Sequence, residues 1–219
     1  ADDKESRPDI DKKADGEDEI KGVKPGDNIS FTLESHLPAR LAGFVVRSDS
    51  DAERLYIPEK FSERMIFHDV MSKNLEFDKE TLKVTVGNDG SVLPEEYYKV
   101  ETGKKLETGT VYETFRVSIA LIAAFKDGFI TYDELKNAEP VIVSYDAAVS
   151  DKAIDGDKVE NRAWVNDSEE DIVDGPVIDP DVPSTGGIGT KAFTAAGIAL
   201  MGAAAGAVIV TGKKKKKEQ

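Results

Sequence analysis

The sequence predicts an all-β domain, a two-sheet sandwich of immunoglobulin-like type, followed by a single C-terminal transmembrane helix. Two observations carry this prediction. Apolar and polar side chains alternate over many short stretches, which is typical of half-buried strands. Residues 192–210, by contrast, are almost continuously apolar and are followed by a run of lysines at 213–217. The chain therefore combines a folded β domain with a segment about as long as a bilayer-spanning helix.

The alternation is clearest in two stretches, each next to a turn. Residues 29–33 alternate after a Pro-Gly-Asp turn, and residues 82–86 alternate before the Gly-Asn-Asp-Gly turn at 87–90. Glycine, asparagine and aspartate are the residues that tight turns favour. Further strands are predicted at residues 44–47, 65–70, 97–101, 111–122, 140–149 and 159–165, and one helix at 131–138. Many short strands separated by turns favour an antiparallel sandwich.

Composition excludes several classes of function. The chain has 219 residues, 43 acidic against 29 basic side chains, a net charge of −14, and no cysteine. A surface this acidic makes nucleic acid an unfavourable partner. Without cysteine there are neither disulfides nor thiolate metal sites. No motif indicates a cofactor.

The chain divides into four segments by composition. Residues 1–8 are charged and predict a flexible N-terminus, and residues 9–166 predict one domain. Residues 167–181 are acidic, contain Pro176 and Pro180, and predict a linker. Residues 182–219 form the C-terminal segment. A membrane-spanning tail after a folded domain needs export, so we expect Ala1 to be a processed N-terminus or a fragment boundary.

The C-terminal segment has three parts in a fixed order. The short motif comprises Val182, Pro183, Ser184, Thr185 and Gly186; the apolar span 192–210 and the basic tail 213–217 follow. Lysines behind a span stay on the cytoplasmic side, which leaves the motif reachable at the outer face. The alternative is a plain C-terminal membrane anchor.

This order resembles the LPXTG-type cell-wall sorting signal of Gram-positive surface proteins. The resemblance implies that a sortase cleaves after Thr185 and joins its carbonyl to an amine. That amine would belong to a peptidoglycan cross-bridge or to another subunit. The chain would then be exported, held in the membrane only transiently through residues 192–210, and finally attached to the cell wall. Val182 stands where the family usually has leucine.

Three polar side chains occupy positions that the alternation predicts to face inward. Lys12 shares a face with Ile10 and Ala14, whereas Lys13 points the other way. By the same count, Asp69 lies with Met65 and Phe67, and Asn161 lies with Val159 and Ala163. An unpaired buried lysine or aspartate costs several kcal/mol. We therefore expect these three side chains to interact.

Several segments resemble the isopeptide-forming D2 domain of fimbrial proteins, which has a Cna-type sandwich. They are Pro-Asp-Ile-Asp-Lys-Lys at 8–13, Pro-Gly-Asp-Asn-Ile-Ser-Phe at 25–31, and residues 68–77, 81–86, 141–147, 151–154 and 160–163. The resemblance implies that a first-strand lysine condenses with a last-strand asparagine and releases ammonia, catalysed by a buried acid. These residues would be Lys12, Asn161 and Asp69, with Lys13 as the alternative lysine if the strand faces the other way.

Other candidate sites are weaker. Residues 127–134 resemble the second half of an EF-hand loop, but Ala123 and Phe125 stand at the first two ligand positions and cannot bind calcium. No metal site is expected. His36 and His68 have no nucleophile context, which disfavours a hydrolase. Trp164 lies on the face opposite Asn161, where packing is the expected role.

The sequence therefore predicts a structural, cell-wall-anchored fimbrial (pilin-like) surface protein rather than an enzyme. Its only chemistry would be a single-turnover crosslink. A pilin motif of the form Trp-x-x-x-Val-x-Val-Tyr-Pro-Lys is not recognisable in the chain. A singly anchored adhesin that binds a host or surface ligand is the alternative, and a wall-associated enzyme is the third class.

Overall fold

The computed structural model describes residues 9–47, 53–55, 64–105 and 112–178. The predicted N-terminal segment 1–8, the sorting motif, the span 192–210 and the basic tail lie outside these residues. Within the described ranges, no helix is both long enough and apolar enough to cross a membrane.

The described residues are mostly β-strands. In chain order the strands are β1 (Asp11–Ala14), β2 (Asn28–His36), β3 (Val45–Arg47), β4 (Glu53–Leu55), β5 (Met65–Met71), β6 (Leu75–Val86), β7 (Ser91–Val92), β8 (Tyr98–Lys105), β9 (Tyr112–Ile119), β10 (Pro140–Val149), β11 (Lys158–Val165) and β12 (Asp171–Pro176). The helices are α1 (Leu121–Lys126) and α2 (Tyr132–Lys136), and 3-10 turns cover Ala39–Phe44 and Glu95–Tyr97.

Two five-stranded sheets are formed by the described strands. The first has the order β1-β2-β10-β6-β7 and the second has the order β12-β11-β5-β9-β8. Neighbouring strands pair antiparallel in both sheets. Apolar side chains from both sheets form one buried core. The prediction of an all-β two-sheet sandwich is therefore confirmed.

Strand β10 shows how the alternation builds this core. It pairs with β2 on one side and β6 on the other, and every second side chain from Val141 to Val149 is buried. Each apolar side chain withdrawn from water contributes about 25 cal/mol per Å² of buried apolar surface. The predicted strand at 140–149 has the bounds that the structure shows.

The turn at residues 87–90 joins β6 to β7. Gly87 and Gly90 have φ angles of 81° and 69°, in the left-handed region that favours glycine. The backbone N–H of Gly90 bonds the carbonyl of Gly87 at 3.1 Å. The tight turn predicted from the glycine spacing is present.

Helix α1 corrects one prediction. The strand predicted at 111–122 ends at Ile119, and residues 121–126 are helical. Leu121, Ala124 and Phe125 are buried. Their spacing of three and four residues places them on one face of a helix, not of a strand.

Helix α2 lies within the predicted helix at 131–138. Thr131 caps its N-terminus by accepting a hydrogen bond from the Glu134 N–H, and the Glu134 side chain reaches back to the Thr131 N–H. This reciprocal capping box satisfies two backbone donors that would otherwise lack partners.

Strand β12 corrects the predicted linker. Residues 171–176 pair with β11, and Val173 and Val177 are buried in the core. Asp174 alternates with the buried Val173 and Gly175, and Asp171 at the start of the strand is only partly exposed. The folded domain therefore extends through Ile178, and the interpretation of residues 167–181 as a linker is wrong for the part that the structure describes.

Candidate functional site

Three sequence-predicted residues meet between the two sheets. Lys12 lies on β1 of the first sheet, and Asp69 and Asn161 lie on β5 and β11 of the second. Their exposed fractions are 1%, 0% and 0%. Among the described strands, β12 follows β11, so Asn161 lies on the penultimate of these strands rather than the last. Any bond between Lys12 and Asn161 would thus join the two sheets.

The pleat of β1 decides which lysine enters the core. Lys12 alternates with the buried Ala14, whereas the Lys13 side chain is 40% exposed and lies 3.6 Å from the Asp11 carboxylate. Lys13 therefore points toward solvent, as the facing argument predicted.

A fourth residue, Tyr145 on β10, completes the group. The Lys12 Nζ donates to Asp69 Oδ2 at 2.7 Å and to the Tyr145 hydroxyl oxygen at 3.0 Å. The Tyr145 hydroxyl donates to Asp69 Oδ2 at 2.5 Å. Asn161 Nδ2 donates to the same hydroxyl oxygen at 2.9 Å. The amine, the acid and the amide are thus all hydrogen-bonded to one phenol.

Two oxygens of this group have no hydrogen-bond partner. They are Asp69 Oδ1 and Asn161 Oδ1, both buried. Unpaired buried polar atoms are rare and costly, so each one calls for an explanation. A proton on Asp69 Oδ1 would turn this oxygen from an acceptor without a partner into a donor. The unpaired Asn161 Oδ1 could then accept a hydrogen bond from it.

Burial controls the charge state of the group. Desolvation lowers the pKa of Lys12, against the opposing attraction of Asp69. Desolvation also raises the pKa of Asp69, against the opposing charge of Lys12. Both shifts favour the neutral forms, a free amine beside a protonated acid.

Aromatic rings surround the polar atoms. Tyr145 stacks on Phe31 with ring centroids 5.5 Å apart and meets Phe115 edge-on at 4.8 Å. The Lys12 Nζ lies 5.3 Å from the centre of the Phe31 ring. This cage keeps water away and supplies the low dielectric that shifts both pKa values.

The two sheet edges are held together next to the site. Asp171 at the start of β12 accepts a hydrogen bond from the Lys12 backbone N–H at 2.7 Å. Edge strand β1 of one sheet is therefore fixed against edge strand β12 of the other. This contact fixes the backbone from which the Lys12 side chain enters the core.

The other candidate residues have structural roles. In the EF-hand-like stretch, Asp127 accepts a hydrogen bond from the Tyr97 hydroxyl at 2.9 Å and Glu134 caps α2. No group of side chains suited to a metal ion occurs among the described residues. His36 is exposed, and Trp164 stacks on His68 with ring centroids 4.8 Å apart.

Tyr145 is the member of the buried group that sequence reasoning missed. Its inward position follows from the alternation in β10, which also places Val143 and Ala147 inside. A buried tyrosine hydroxyl normally needs a hydrogen-bond partner. This requirement indicates that Tyr145 has polar partners in the core. It does not identify them, because they lie on other strands.

One family model matches the chain. Residues 183–219 match the LPXTG cell wall anchor motif. This match confirms the predicted sorting signal and supports the cell-wall location inferred from it. No curated protein sequence matches the chain.

Solved structures of pilus proteins share the fold. The full-length major pilin RrgB from Streptococcus pneumoniae matches with a TM-score of 0.50 and 22% identity, over 74% of this chain and 23% of that one. A structure of the RrgB pilus backbone matches with a TM-score of 0.48 and 22% identity, over 74% of this chain and 52% of that one. BcpA, the major pilin subunit of Bacillus cereus, matches with a TM-score of 0.48 and 14% identity, over 78% and 39%.

These likenesses concern the fold. The chain spans about half of the RrgB backbone structure and about a quarter of the full-length pilin. The described domain is thus a β-sandwich like those of pilins, in a chain that also carries a cell-wall anchor motif.

Proposed function

We propose that this chain is a cell-wall-anchored, pilin-like structural protein whose sandwich is closed by an isopeptide bond between Lys12 and Asn161. The observation that carries the proposal is the fully buried group of Lys12, Asp69 and Asn161 between the two sheets. A buried lysine facing a buried acid and amide is costly unless the groups react or pair. The domain would then be of the immunoglobulin-like, Cna type.

The burial supports a direct condensation. Neutral Lys12 attacks the side-chain carbonyl carbon of Asn161, because only an uncharged amine is nucleophilic. Protonated Asp69 polarises the carbonyl oxygen and stabilises the charge that develops there. The new bond joins Lys12 Nζ to the Asn161 carbonyl carbon, one proton moves from Nζ to Nδ2, and the bond to Nδ2 breaks as ammonia leaves.

The orphan oxygens support the role of Asp69. Asp69 Oδ2 already accepts hydrogen bonds from Lys12 and Tyr145, which leaves Oδ1 to carry the proton. The carbonyl oxygen of Asn161 is the other buried atom without a partner. A hydrogen bond from one to the other is the contact that the mechanism requires.

The bond would give the domain a covalent route for load. It would connect β1 in the first sheet directly to β11 in the second, so that tension between these strands falls on an amide rather than on sheet hydrogen bonds. Similar folds occur in proteins described as major pilins and a pilus backbone. A shaft or stalk that must resist pulling is the setting in which such a bond is useful.

Intact mass of the full chain tests the crosslink. The wild-type protein should weigh one ammonia less than its sequence, and a digest should yield a branched peptide containing Lys12 and Asn161. Lys12→Ala and Asp69→Asn should restore the full mass. Lys13→Ala is the matched control and should keep the loss. A wild-type protein of full mass would rule out the bond.

The C-terminal segment completes the proposal. A sortase would cleave between Thr185 and Gly186, after a transmembrane helix at 192–210 and the lysines at 213–217 have held the chain at the outer face. Pro183 would restrict the backbone of the motif, which would suit attack on the threonine carbonyl. The acceptor would be a peptidoglycan cross-bridge amine or another pilin subunit.

Wall fractionation tests the anchoring. Thr185→Ala should leave the protein in the membrane fraction with its span uncleaved, whereas Ser184→Ala should still reach the wall. Wall digests of the wild type should contain a peptide ending at Thr185. Peptides that run through Gly186 into the span would instead indicate a plain membrane anchor.

The same fractions separate a pilus subunit from a singly anchored adhesin. A polymerising subunit yields a ladder of large species that survives boiling in detergent, because its links are covalent. A singly anchored protein yields one species.

A further inference from the structure

The Tyr145 hydroxyl lies at the centre of the buried group. Its oxygen is 3.0 Å from Lys12 Nζ and 2.9 Å from Asn161 Nδ2, and its proton is directed at Asp69 Oδ2 at 2.5 Å. Within the part of the chain that the structure describes, it is the group whose oxygen accepts hydrogen bonds from both the attacking and the departing nitrogen.

The condensation requires a proton to travel between these two nitrogens. The attacking amine loses one proton when it becomes an amide nitrogen, and the departing amide nitrogen gains one when it becomes ammonia. Asp69 Oδ1 is committed to the carbonyl oxygen in the proposed mechanism, and Asp69 Oδ2 already accepts from Lys12 and Tyr145. The Tyr145 oxygen lies at hydrogen-bond distance of both nitrogens and is therefore a second group placed to move this proton.

We infer that Tyr145 is a further catalytic residue, whose hydroxyl relays a proton from Lys12 Nζ to Asn161 Nδ2 during isopeptide formation. This inference rests on the proposed crosslink. As the Nζ–carbon bond forms, the hydroxyl oxygen accepts a proton from Nζ and gives its own proton to Nδ2. The carbon–Nδ2 bond breaks, ammonia departs, and Tyr145 ends the reaction as a neutral phenol.

The surroundings of Tyr145 suit this role. Phe31 and Phe115 hold the ring from two sides, so the hydroxyl has a fixed position. Burial raises the pKa of Tyr145 well above its usual value, which keeps the proton on the oxygen between transfers. A relay must hold and exchange a proton without ionising, and both features serve that purpose.

The test follows crosslink formation in time. The full chain is purified unfolded in denaturant, refolded with a mild detergent, and its intact mass is sampled as the ammonia is lost. General acid–base groups contribute about 10²- to 10⁴-fold, so Tyr145→Phe should slow the loss by about 10²-fold or more. Tyr97→Phe removes a hydroxyl that bonds Asp127 instead, and should react at the wild-type rate.

The outcomes separate the two proposals. If the wild type keeps its full mass, the crosslink and the relay both fail. If the wild type and Tyr145→Phe lose ammonia at the same rate, the crosslink stands and the relay is overturned. Folding is checked in the uncrosslinked pair Asn161→Ala and Tyr145→Phe/Asn161→Ala, which should melt within a few degrees of each other.

A second variant keeps the test decisive if Tyr145→Phe does not fold. Fluorinated tyrosine placed at position 145 alone keeps the hydroxyl and the ring but makes the phenol more acidic. Donation to the departing nitrogen should then be easier and acceptance from Lys12 Nζ harder, so the rate of ammonia loss should change with the degree of fluorination, in the direction set by the slower transfer. An unchanged rate across the fluorinated series would show that the hydroxyl only fills space, which overturns the relay.

Discussion

Two neighbouring residues of strand β5 belong to two different buried carboxylate sites, one formed by Asp69 itself and the other by Glu113, which His68 contacts. Asp69 points into the core, toward Lys12, Tyr145 and Asn161. His68 points to the other face of the second sheet, where its Nδ1 lies 2.7 Å from Glu113 Oε1. Asp69 and Glu113 are both nearly or completely inaccessible to solvent. They nevertheless differ in how their oxygens are used.

The Glu113 site has both carboxylate oxygens paired. Oε1 meets His68, and Oε2 accepts from Arg116 Nε at 2.7 Å. Trp164 covers His68 with its ring almost parallel, at an interplanar angle of 5°. The Arg116 and His68 side chains retain 28% and 14% exposure, so the site reaches solvent at its rim. Both oxygens of Glu113 are therefore satisfied by hydrogen-bond partners.

The Asp69 site is different, because one oxygen carries two hydrogen bonds and the other carries none. Burial raises the pKa of Asp69 and lowers that of Lys12. The comparison teaches that burial alone does not mark a reactive acid. The feature that distinguishes Asp69, and on which its proposed role depends, is an unpaired oxygen in a group that also contains Lys12 and Asn161.

The largest effect is expected from preventing the proposed bond between Lys12 and Asn161. The proposed crosslink would close a loop of roughly 150 residues, for which loop-closure entropy predicts about 4 to 5 kcal/mol of stability. Asn161→Ala should therefore lower the melting temperature strongly and shorten the half-life in trypsin. Asn74→Ala removes another buried asparagine, whose amide bonds the Lys158 carbonyl at 3.1 Å, and should cost only about 1 to 3 kcal/mol. Equal melting of the two variants would contradict a covalent clamp.

A smaller effect is expected at the Glu113 site. Glu113→Gln leaves Arg116 and His68 beside a neutral amide, and the loss of charge-assisted hydrogen bonds should cost about 1 to 3 kcal/mol. The ammonia should still be lost, because Glu113 does not contact the crosslinking residues. Asp69→Asn is the matched change at the other carboxylate and should block the loss. If Glu113→Gln also blocked it, the separation of the two sites would be wrong.

The smallest expected effect is on pH dependence. Burial lowers the pKa of His68 from its ordinary value of 6.5, against the opposing effect of Glu113. At pH values between the pKa of His68 in the folded chain and its pKa in the unfolded chain, the unfolded chain binds more protons. The free energy of unfolding therefore decreases as pH falls below about 6.5. Melting temperatures measured from pH 8 to pH 5 should fall less for His68→Phe than for the wild type.

The exposed histidine provides the control for that series. His36→Phe makes the same substitution at a histidine that is exposed and does not belong to the Glu113 site. A His68→Phe curve that matches the wild type would assign the pH dependence to other groups.

Much of the fold could be predicted from local pattern. Alternation gave the strand at 140–149, and the inward positions of Lys12, Asp69 and Asn161 followed from the same period of two. The cell-wall anchor motif was predictable because its order of parts is written in consecutive residues. These features depend on neighbours in the chain, and so one sequence is enough to find them.

The errors came from segments whose structure depends on distant partners. Residues 171–176 are acidic and have few apolar side chains. They nevertheless form β12, because their backbone pairs with β11 and the Val173 side chain is buried in the core. Leu121, Ala124 and Phe125 form too short a pattern to distinguish a helix from the end of a strand. In both cases tertiary packing outweighed local composition.

The sequence by itself determined which side chains face inward, because the pleat of a strand alternates with every residue. Only the tertiary structure decided which of them meet. Lys12 and Tyr145 belong to one sheet, and Asp69 and Asn161 belong to the other. Their contact depends on how the two sheets are packed, a relation among residues far apart in the chain that no local period encodes. For the same reason, Tyr145 was visible as an inward tyrosine, while its place between an amine, an acid and an amide was not.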